Sequence, residues 1–242
     1  MRAAAGSGAG SGAPALASRV VKTLGGRFSE ELGIDLDRGG REVERWVLAA
    51  TLFGTRISAA IAVRTYLVLS VAGVGTLADV SSRDWDDLVA LLDRGGYARY
   101  DFRTATRLQR LAAFVRERHG GRIDSLRDRS IAEIRSALDA LPGWGPVTVS
   151  LFLREMRGVW PCVDPPLGER ALDAARHLGL LSRARDPLAR VRAIAAETHL
   201  DVRDVESALV RLWIAHHRAL ARCAGGSVCA GLRGEPASGE VG

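Results

Sequence analysis

Apolar residues recur at the spacing of an α-helix in almost every segment of this chain that lies between turns. No segment alternates apolar and polar residues with the period of two that is typical of a half-buried strand. The pattern therefore predicts an all-α protein. The expected helices run over 41–53, 57–69, 84–93, 104–119, 130–141, 146–158 and 167–177, followed by one that opens at Pro187 and one from Asp201 to Ala221.

One turn between two of these helices is distinctive: it reads Leu141-Pro142-Gly143-Trp144-Gly145-Pro146-Val147-Thr148. Ser130 and Glu133 form a capping box that opens the helix before it, and Pro146 suits the first position of the next helix. A helix-hairpin-helix is therefore predicted over 131–157. Glycine can adopt positive φ and leaves backbone N–H groups uncovered, and such groups at a helix N-terminus bind phosphate. The alternative is a tight turn that serves packing alone.

The length and composition of the chain predict its organisation. With 242 residues, 47% of them hydrophobic, it can bury a substantial core. No break in composition separates independent domains, so we expect one helical domain over 16–224, built as two interleaved lobes. Residues 1–15, rich in Gly, Ala and Ser, are expected to be a disordered leader, and residues 225–242 a disordered tail.

The charge balance favours a polyanionic partner. The net charge is +6 and the sequence pI is about 10.0, which fits nucleic acid. The longest apolar stretch is too short for a membrane span, and the leader lacks the apolar core of a signal peptide. We therefore expect a cytoplasmic monomer with no membrane partner.

The cysteines do not predict a cofactor. Cys162, Cys223 and Cys229 are odd in number, and an iron–sulfur cluster normally takes four cysteine ligands. His216 and His217 lie near two of the cysteines, but adjacent residues of a helix point in different directions. We therefore assign no metal site and no cofactor from the sequence.

Three features together resemble the helix-hairpin-helix (HhH-GPD) superfamily of DNA glycosylases, to which endonuclease III belongs: the glycine hairpin, Asp164 and His177-Leu178-Gly179. The resemblance extends over residues 40–220. It implies a two-lobed helical fold with a central helix-hairpin-helix, and a partner that is double-stranded DNA containing a modified base. It further implies a monovalent cation on the hairpin carbonyls. The residues it implies for DNA binding are Gly143, Trp144, Gly145, Val147 and Thr148.

The resemblance also implies that Asp164 is the catalytic aspartate, and the chemistry of base release is compatible with that role. Pro165 and Pro166 push its backbone away from the helical region, so we expect it at a helix N-terminus. An ionised carboxylate facing the sugar C1′ would stabilise the positive charge that develops as the base departs, and could orient an attacking water. The alternative is that Asp164 only caps its helix.

The resemblance also bears on the type of reaction. Family members that cut the backbone carry a lysine two residues past the second hairpin glycine, where this chain has Val147. Lys22 is the only lysine in the sequence. We therefore expect a monofunctional DNA glycosylase of base excision repair. Two alternatives stay open: a non-catalytic helix-hairpin-helix DNA-binding protein, and an abasic-site lyase of the endonuclease III type that uses Lys22 or the N-terminal amine.

A base pocket is predicted from aromatic and acidic residues before the helix at 104–119. Tyr97, Tyr100 and Asp101 suit stacking on a flipped base or contact with phosphate. They equally suit an ordinary helix-start loop with half-buried tyrosines. Phe53 lies roughly where relatives insert a residue into the gap left by the flipped base, and Trp144 is either an anchor on DNA or a cap on the core.

Overall fold

The computed structural model describes residues 12–55, 57–97, 101–181, 184–216, 220, 223, 229 and 231–232. Within these residues every regular element is helical, and the only strand-like pairing is an isolated bridge between Arg157 and Trp160. The prediction of an all-α protein is therefore confirmed. No helix in the described part of the chain combines the length and the apolar character that a membrane span requires.

Twelve α-helices are present in the described residues. In chain order they are α1 (Gly12–Leu24), α2 (Phe28–Glu31), α3 (Arg41–Phe53), α4 (Ala59–Val71), α5 (Leu77–Ser81), α6 (Trp85–Leu92), α7 (Asp101–His119), α8 (Ile131–Asp139), α9 (Pro146–Glu155), α10 (Glu169–His177), α11 (Pro187–Glu197) and α12 (Val202–Ala215). Short 3₁₀ turns occupy Leu36–Arg38 and Ile123–Leu126, and a π turn occupies Asp93–Tyr97.

The chain divides into two compact units, and we describe each by itself. The hairpin unit is Phe28–Pro165, which contains α2 to α9. The terminal unit contains α1 with the residues up to Arg27, and the chain from Pro166 onward with α10 to α12.

The core of the hairpin unit fixes α9 in place. The ring of Phe152 lies 5.4 Å from Trp144 and 5.6 Å from Trp160, and the backbone carbonyl of Phe152 accepts a hydrogen bond of 3.4 Å from Trp46 Nε1. At the end of the helix, the buried carboxylate of Glu155 accepts from the backbone N–H of Phe28 at 2.9 Å. Because α9 is held along its length, the turn at its start has a defined position.

The terminal unit packs through small side chains. The buried residues of α10 are all alanine, namely Ala171, Ala174 and Ala175, which allows α10 to lie close against α12. The apolar face of α1 adds Leu16 and Val20 to the same core.

Several predicted boundaries are confirmed. Helix α3 has the predicted bounds, α9 and α11 begin at Pro146 and Pro187, and the capping box of Ser130 and Glu133 is present at the start of α8.

Three predictions about the two ends of the chain were wrong. Helix α1 begins at Gly12, inside the expected leader, because its apolar residues are spaced to bury one face. Helix α12 ends at Ala215 instead of Ala221 because His216 takes the C-cap position. Cys229 and Leu232 are buried although they belong to the expected disordered tail, because both pack within the terminal unit.

Candidate functional site

The glycine hairpin is a tight turn that uses one glycine for its backbone conformation. Gly143 has φ of 80°, and a Cβ at this position would lie 2.5 Å from Arg107 Cδ. The N–H of Trp144 donates to the carbonyl of Leu141 at 3.0 Å and closes the turn. Gly145 has φ of −128° and ψ of 179°, which is extended backbone open to other residues. Only Gly143 therefore needs to be glycine for steric reasons.

The start of α9 exposes backbone N–H groups. Gly145 is its N-cap and, being glycine, offers no side-chain cap, while Pro146 has no N–H. Among the described residues, none accepts a hydrogen bond from the backbone N–H of Gly145, Val147 or Thr148. The Val147 side chain is 57% exposed beside them. An anion could therefore approach these donors along the positive end of the helix.

Two side chains predicted to bind DNA are in the core. Trp144 is buried, and its Nε1 donates a hydrogen bond of 2.9 Å to Thr51 Oγ1. Thr148 is also buried, and a Cβ added to Gly54 would lie 2.1 Å from its Oγ1, so α3 and α9 approach closely here. Of the two roles considered for Trp144, the structure shows the cap on the core. At both positions only the backbone remains available to a ligand.

Arg107 lies next to the hairpin and was missed by the sequence analysis. Its Nη2 donates to the carbonyl of Thr51 at 3.4 Å, and its alkyl chain fills the space beside Gly143. Burial lowers the pKa of this guanidinium from its ordinary value. Arginine stays protonated at neutral pH in any case, so a positive charge lies close to the turn. No sequence signal separates Arg107 from the other arginines of α7.

Asp164 is held by an arginine and does not cap a helix. The N-cap of α10 is Gly168, so the expectation that Asp164 begins that helix was wrong. Its carboxylate Oδ1 instead accepts a close hydrogen bond from Nη1 of Arg157. The Asp164 side chain is 50% exposed, whereas that of Arg157 is 4% exposed. The pair therefore presents a carboxylate at the surface over a buried cation.

A compact loop after α9 brings this pair together. Gly158 has φ of 75°, and its N–H donates to the carbonyl of Val163 at 3.3 Å, while the N–H of Val163 donates to the carbonyl of Trp160 at 3.0 Å. Trp160 is fully buried and anchors the loop to the core. From the sequence, the Pro-Pro pair was interpreted as the start of a helix. Nothing in the sequence marked Arg157 as a partner of Asp164.

Tyr97 is a packing residue and not an exposed stacking platform. Its side chain is buried, and its hydroxyl donates to the carbonyl of Leu52 at 2.9 Å and lies 3.0 Å from Thr55 Oγ1. Burial raises the pKa of Tyr97 to about 12. The structure therefore shows the ordinary-loop alternative at this position.

Of the other predicted pocket residues, Asp101 and Phe53 pack against neighbouring parts of the hairpin unit. Asp101 is buried at the start of α7 and accepts from the backbone N–H of Phe102 at 2.8 Å. Phe53 is half-buried, with its ring 5.2 Å from that of Phe28. Tyr100 falls outside the described residues. Phe102, not predicted, is 60% exposed and stacks on Trp85 at 5.5 Å.

Residues able to hold a metal are found in the terminal unit. His177, His216, Cys223 and Cys229 place one ligand atom each within 4.8 Å of one another. His216 and the two cysteines lie near one another in the sequence, whereas His177 belongs to α10, 39 positions before His216, and was not among the residues considered for a metal.

No protein-family model, curated protein or solved structure matches the chain. Its function is therefore argued from the geometry of the hairpin and of the Asp164–Arg157 pair.

Proposed function

We propose that the protein is a monofunctional DNA glycosylase that hydrolyses the N-glycosidic bond of a damaged or mismatched base in double-stranded DNA. The observation that carries the proposal is the half-exposed Asp164 carboxylate, fixed by Arg157 in the same compact unit as the hairpin with its uncovered N–H groups. The two parts supply the two tasks of such an enzyme, which are to hold a DNA backbone and to work on one nucleotide.

The hairpin supplies contacts that do not depend on base sequence. The N–H groups of Gly145, Val147 and Thr148 can donate to phosphate oxygens, and the positive charge of Arg107 lies behind the turn. A glycosylase needs such contacts because the target nucleotide must leave the stack while the flanking backbone stays in place. The net charge of +6 supports the same partner.

Asp164 supplies the chemistry of hydrolysis. As the bond between C1′ and the base breaks, the bonding electrons leave with the base and positive charge develops at the sugar. A carboxylate near C1′ stabilises that charge and orients a water, whose oxygen bonds to C1′ while its proton passes to the carboxylate or to solvent. The departing base takes up a proton from solvent, so the products are the neutral free base and an abasic site. The guanidinium of Arg157 limits the rotation of the carboxylate.

A lyase reaction through a Schiff base lacks an amine at the hairpin. The exposed position at the start of α9 is Val147. The only lysine of the chain, Lys22, lies on α1 in the terminal unit. Hydrolysis therefore fits the chain better than covalent catalysis by lysine.

The Arg157 contact also favours a second candidate, a non-catalytic DNA-binding protein. A carboxylate beside a buried guanidinium has a structural role of its own, because it offsets part of the cost of burying that charge. In that case Asp164 would stabilise the loop after α9, and the hairpin alone would bind DNA.

One experiment separates the two candidates. The full chain is incubated with duplexes that each carry one modified or mismatched base, and abasic sites are then cleaved with alkali. A glycosylase yields cleavage at one class of lesion, whereas a binding protein retards the duplexes without yielding cleavage. Absence of cleavage across damaged and mismatched duplexes would overturn the proposed reaction.

The Asp164→Asn variant tests the residue. It should still bind duplex, but base release should fall by about 100-fold or more, as expected for removal of a general base or a charge stabiliser. Asp87→Asn, an exposed aspartate of α6 in the same unit, is the matched control and should retain full activity. Thermal unfolding of both variants separates loss of chemistry from loss of the loop. Retained activity in Asp164→Asn would exclude a catalytic role for this residue.

A further inference from the structure

Four side chains of the kind that transition metals prefer meet in the terminal unit. One ligand atom from each of His177, His216, Cys223 and Cys229 lies within 4.8 Å of the other three. Cys229 is fully buried and the other three are half-buried. The group therefore lies at the edge of the core and not on an open surface.

Three of the six separations are close to the edge lengths of a tetrahedron around a metal. Cys229 Sγ lies 3.2 Å from Nε2 of His177, 3.2 Å from Nε2 of His216 and 3.8 Å from Cys223 Sγ. Zinc–sulfur bonds of about 2.3 Å and zinc–nitrogen bonds of about 2.0–2.1 Å place neighbouring ligands about 3.3–3.8 Å apart in a tetrahedral site. The side chains therefore stand at ligand spacing.

The protonation of His216 supports a metal on its other nitrogen. His216 Nδ1 lies 2.8 Å from the carbonyl oxygen of Leu212. A carbonyl can only accept, so Nδ1 carries a proton, and in the neutral imidazole the free electron pair is then on Nε2, the nitrogen that lies beside Cys229. Histidines that bind metals usually make this second hydrogen bond, which orients the ring.

The two imidazoles lie where the backbone favours a cation. His177 is the last residue of α10, and His216 is the C-cap of α12. Helix C-termini carry partial negative charge from their unpaired carbonyls. Two thiolates and two neutral imidazoles would balance the charge of a divalent metal, so the loaded site would be neutral.

We propose that His177, His216, Cys223 and Cys229 bind one zinc ion in a closed structural site. A compact set of two nitrogen and two sulfur ligands suits zinc, whereas magnesium and calcium prefer oxygen ligands. An iron–sulfur cluster normally takes four cysteines. Because four protein ligands fill the coordination sphere, the metal has no open position for a substrate. This inference does not depend on the proposed glycosylase activity.

The site would attach the C-terminal segment to the terminal unit. Cys223 and Cys229 both follow the end of α12, while His177 belongs to α10. Among the described residues after α12, Leu220 and Leu232 are also buried, and the Leu232 carbonyl accepts a hydrogen bond of 2.6 Å from Arg19 Nε. Zinc would join the chain end directly to two helix termini.

The proposal is tested on the full chain, purified under reducing conditions. Elemental analysis should find about one zinc per chain, consistent with one four-ligand site, without iron and labile sulfide. After metal removal, titration with cobalt(II) should produce the visible absorption bands of a tetrahedral cobalt–thiolate site, and added zinc should abolish them. Chelation should lower the melting temperature, and zinc should restore it.

Variants assign the ligands. Cys223→Ser should weaken zinc binding by at least about 100-fold. Loss of a residue that only hydrogen-bonds a metal ligand already costs up to about 100-fold, and Cys223 would itself be a ligand. Cys162→Ser is the matched control because Cys162 is an exposed cysteine of the hairpin unit, and it should bind zinc as the wild type does. If Cys223→Ser does not fold, the cobalt(II) spectrum of the wild-type chain shows whether a tetrahedral site with thiolate ligands is present. A wild-type chain that binds neither zinc nor cobalt(II), or that contains iron with sulfide, overturns the proposal.

Discussion

The indole Nε1 of Trp144 donates a hydrogen bond of 2.9 Å to Thr51 Oγ1, so the tryptophan of the glycine hairpin points into α3. Thr51 Oγ1 in turn donates to the carbonyl of Val47 at 2.7 Å. The turn is thereby tied to a buried helix by a side chain that the sequence alone could equally place against DNA.

Replacing this tryptophan should therefore reduce stability first. We expect Trp144→Phe to lower the free energy of unfolding by about 1–3 kcal/mol, because Thr51 loses its donor and part of the indole volume is left empty. Urea denaturation measures the change, and a double-mutant cycle with Thr51→Val isolates the hydrogen bond. Unchanged stability together with weakened DNA binding would instead make Trp144 a direct DNA contact.

The two hairpin glycines should respond differently to alanine. Gly143→Ala places a side chain at φ of 80° and 2.5 Å from Arg107 Cδ, so we expect a loss of about 1–3 kcal/mol in stability. Gly145→Ala meets nothing within 4 Å and keeps its extended backbone, so its cost should stay below about 1 kcal/mol. Each variant is the control for the other in thermal and urea unfolding.

The same pair tests the hairpin as a DNA contact. A methyl group at Gly145 lies beside the uncovered N–H groups of α9, so we expect Gly145→Ala to weaken duplex binding several-fold while the fold remains intact. Fluorescence anisotropy with a labelled duplex measures the affinity. Wild-type affinity in Gly145→Ala would argue against phosphate binding at this helix start.

The exposed residue at the start of α9 should decide whether a covalent intermediate forms. If the protein is a monofunctional glycosylase, borohydride should trap no adduct between the wild-type chain and a lesion-containing duplex, because Val147 offers no amine. Val147→Lys should introduce a trappable amine at a position that is 57% exposed, with a stability cost of about 0.3–1 kcal/mol from a cation at a helix N-terminus. Gel electrophoresis after borohydride treatment detects the adduct.

Lys22 supplies the control for this experiment. An efficient adduct in the wild type that disappears in Lys22→Arg would show that Lys22 acts as the nucleophile. That result would replace the monofunctional hydrolase with a lyase.

Tyr97 should make stability sensitive to alkaline pH. Burial raises its pKa from 10.0 to about 12 in the folded protein, so the folded state favours the neutral phenol. The contribution of the neutral phenol to the free energy of unfolding is fully present below pH 10 and is lost as the pH rises towards 12. The total loss is on the order of 3 kcal/mol. Urea unfolding between pH 9 and about 11.5 measures the loss. Tyr97→Phe should remove this part of the pH dependence, whereas an unchanged slope would contradict the burial of the hydroxyl.

Much of the hairpin was predictable because its signals are local. The capping box of Ser130 and Glu133 and the proline at the start of α9 each act within a few residues, and both are present as predicted. The N-cap of α10 was not predictable in the same way. Extended Pro-Pro backbone after Asp164 is compatible with several helix starts, and the contact with Arg157 is made across a loop in which Trp160 is buried in the core.

The sequence by itself determined the helical class, most helix boundaries and the position of the glycine turn, because hydrophobic period and capping are properties of neighbouring residues. Only the tertiary structure decided which side of the turn Trp144 occupies, because burial depends on the partner helix α3. It also brought His177 to residues 39 or more positions away in the chain, His216, Cys223 and Cys229. Ligand spacing of that kind is set by the packing of whole helices, and no local pattern records it.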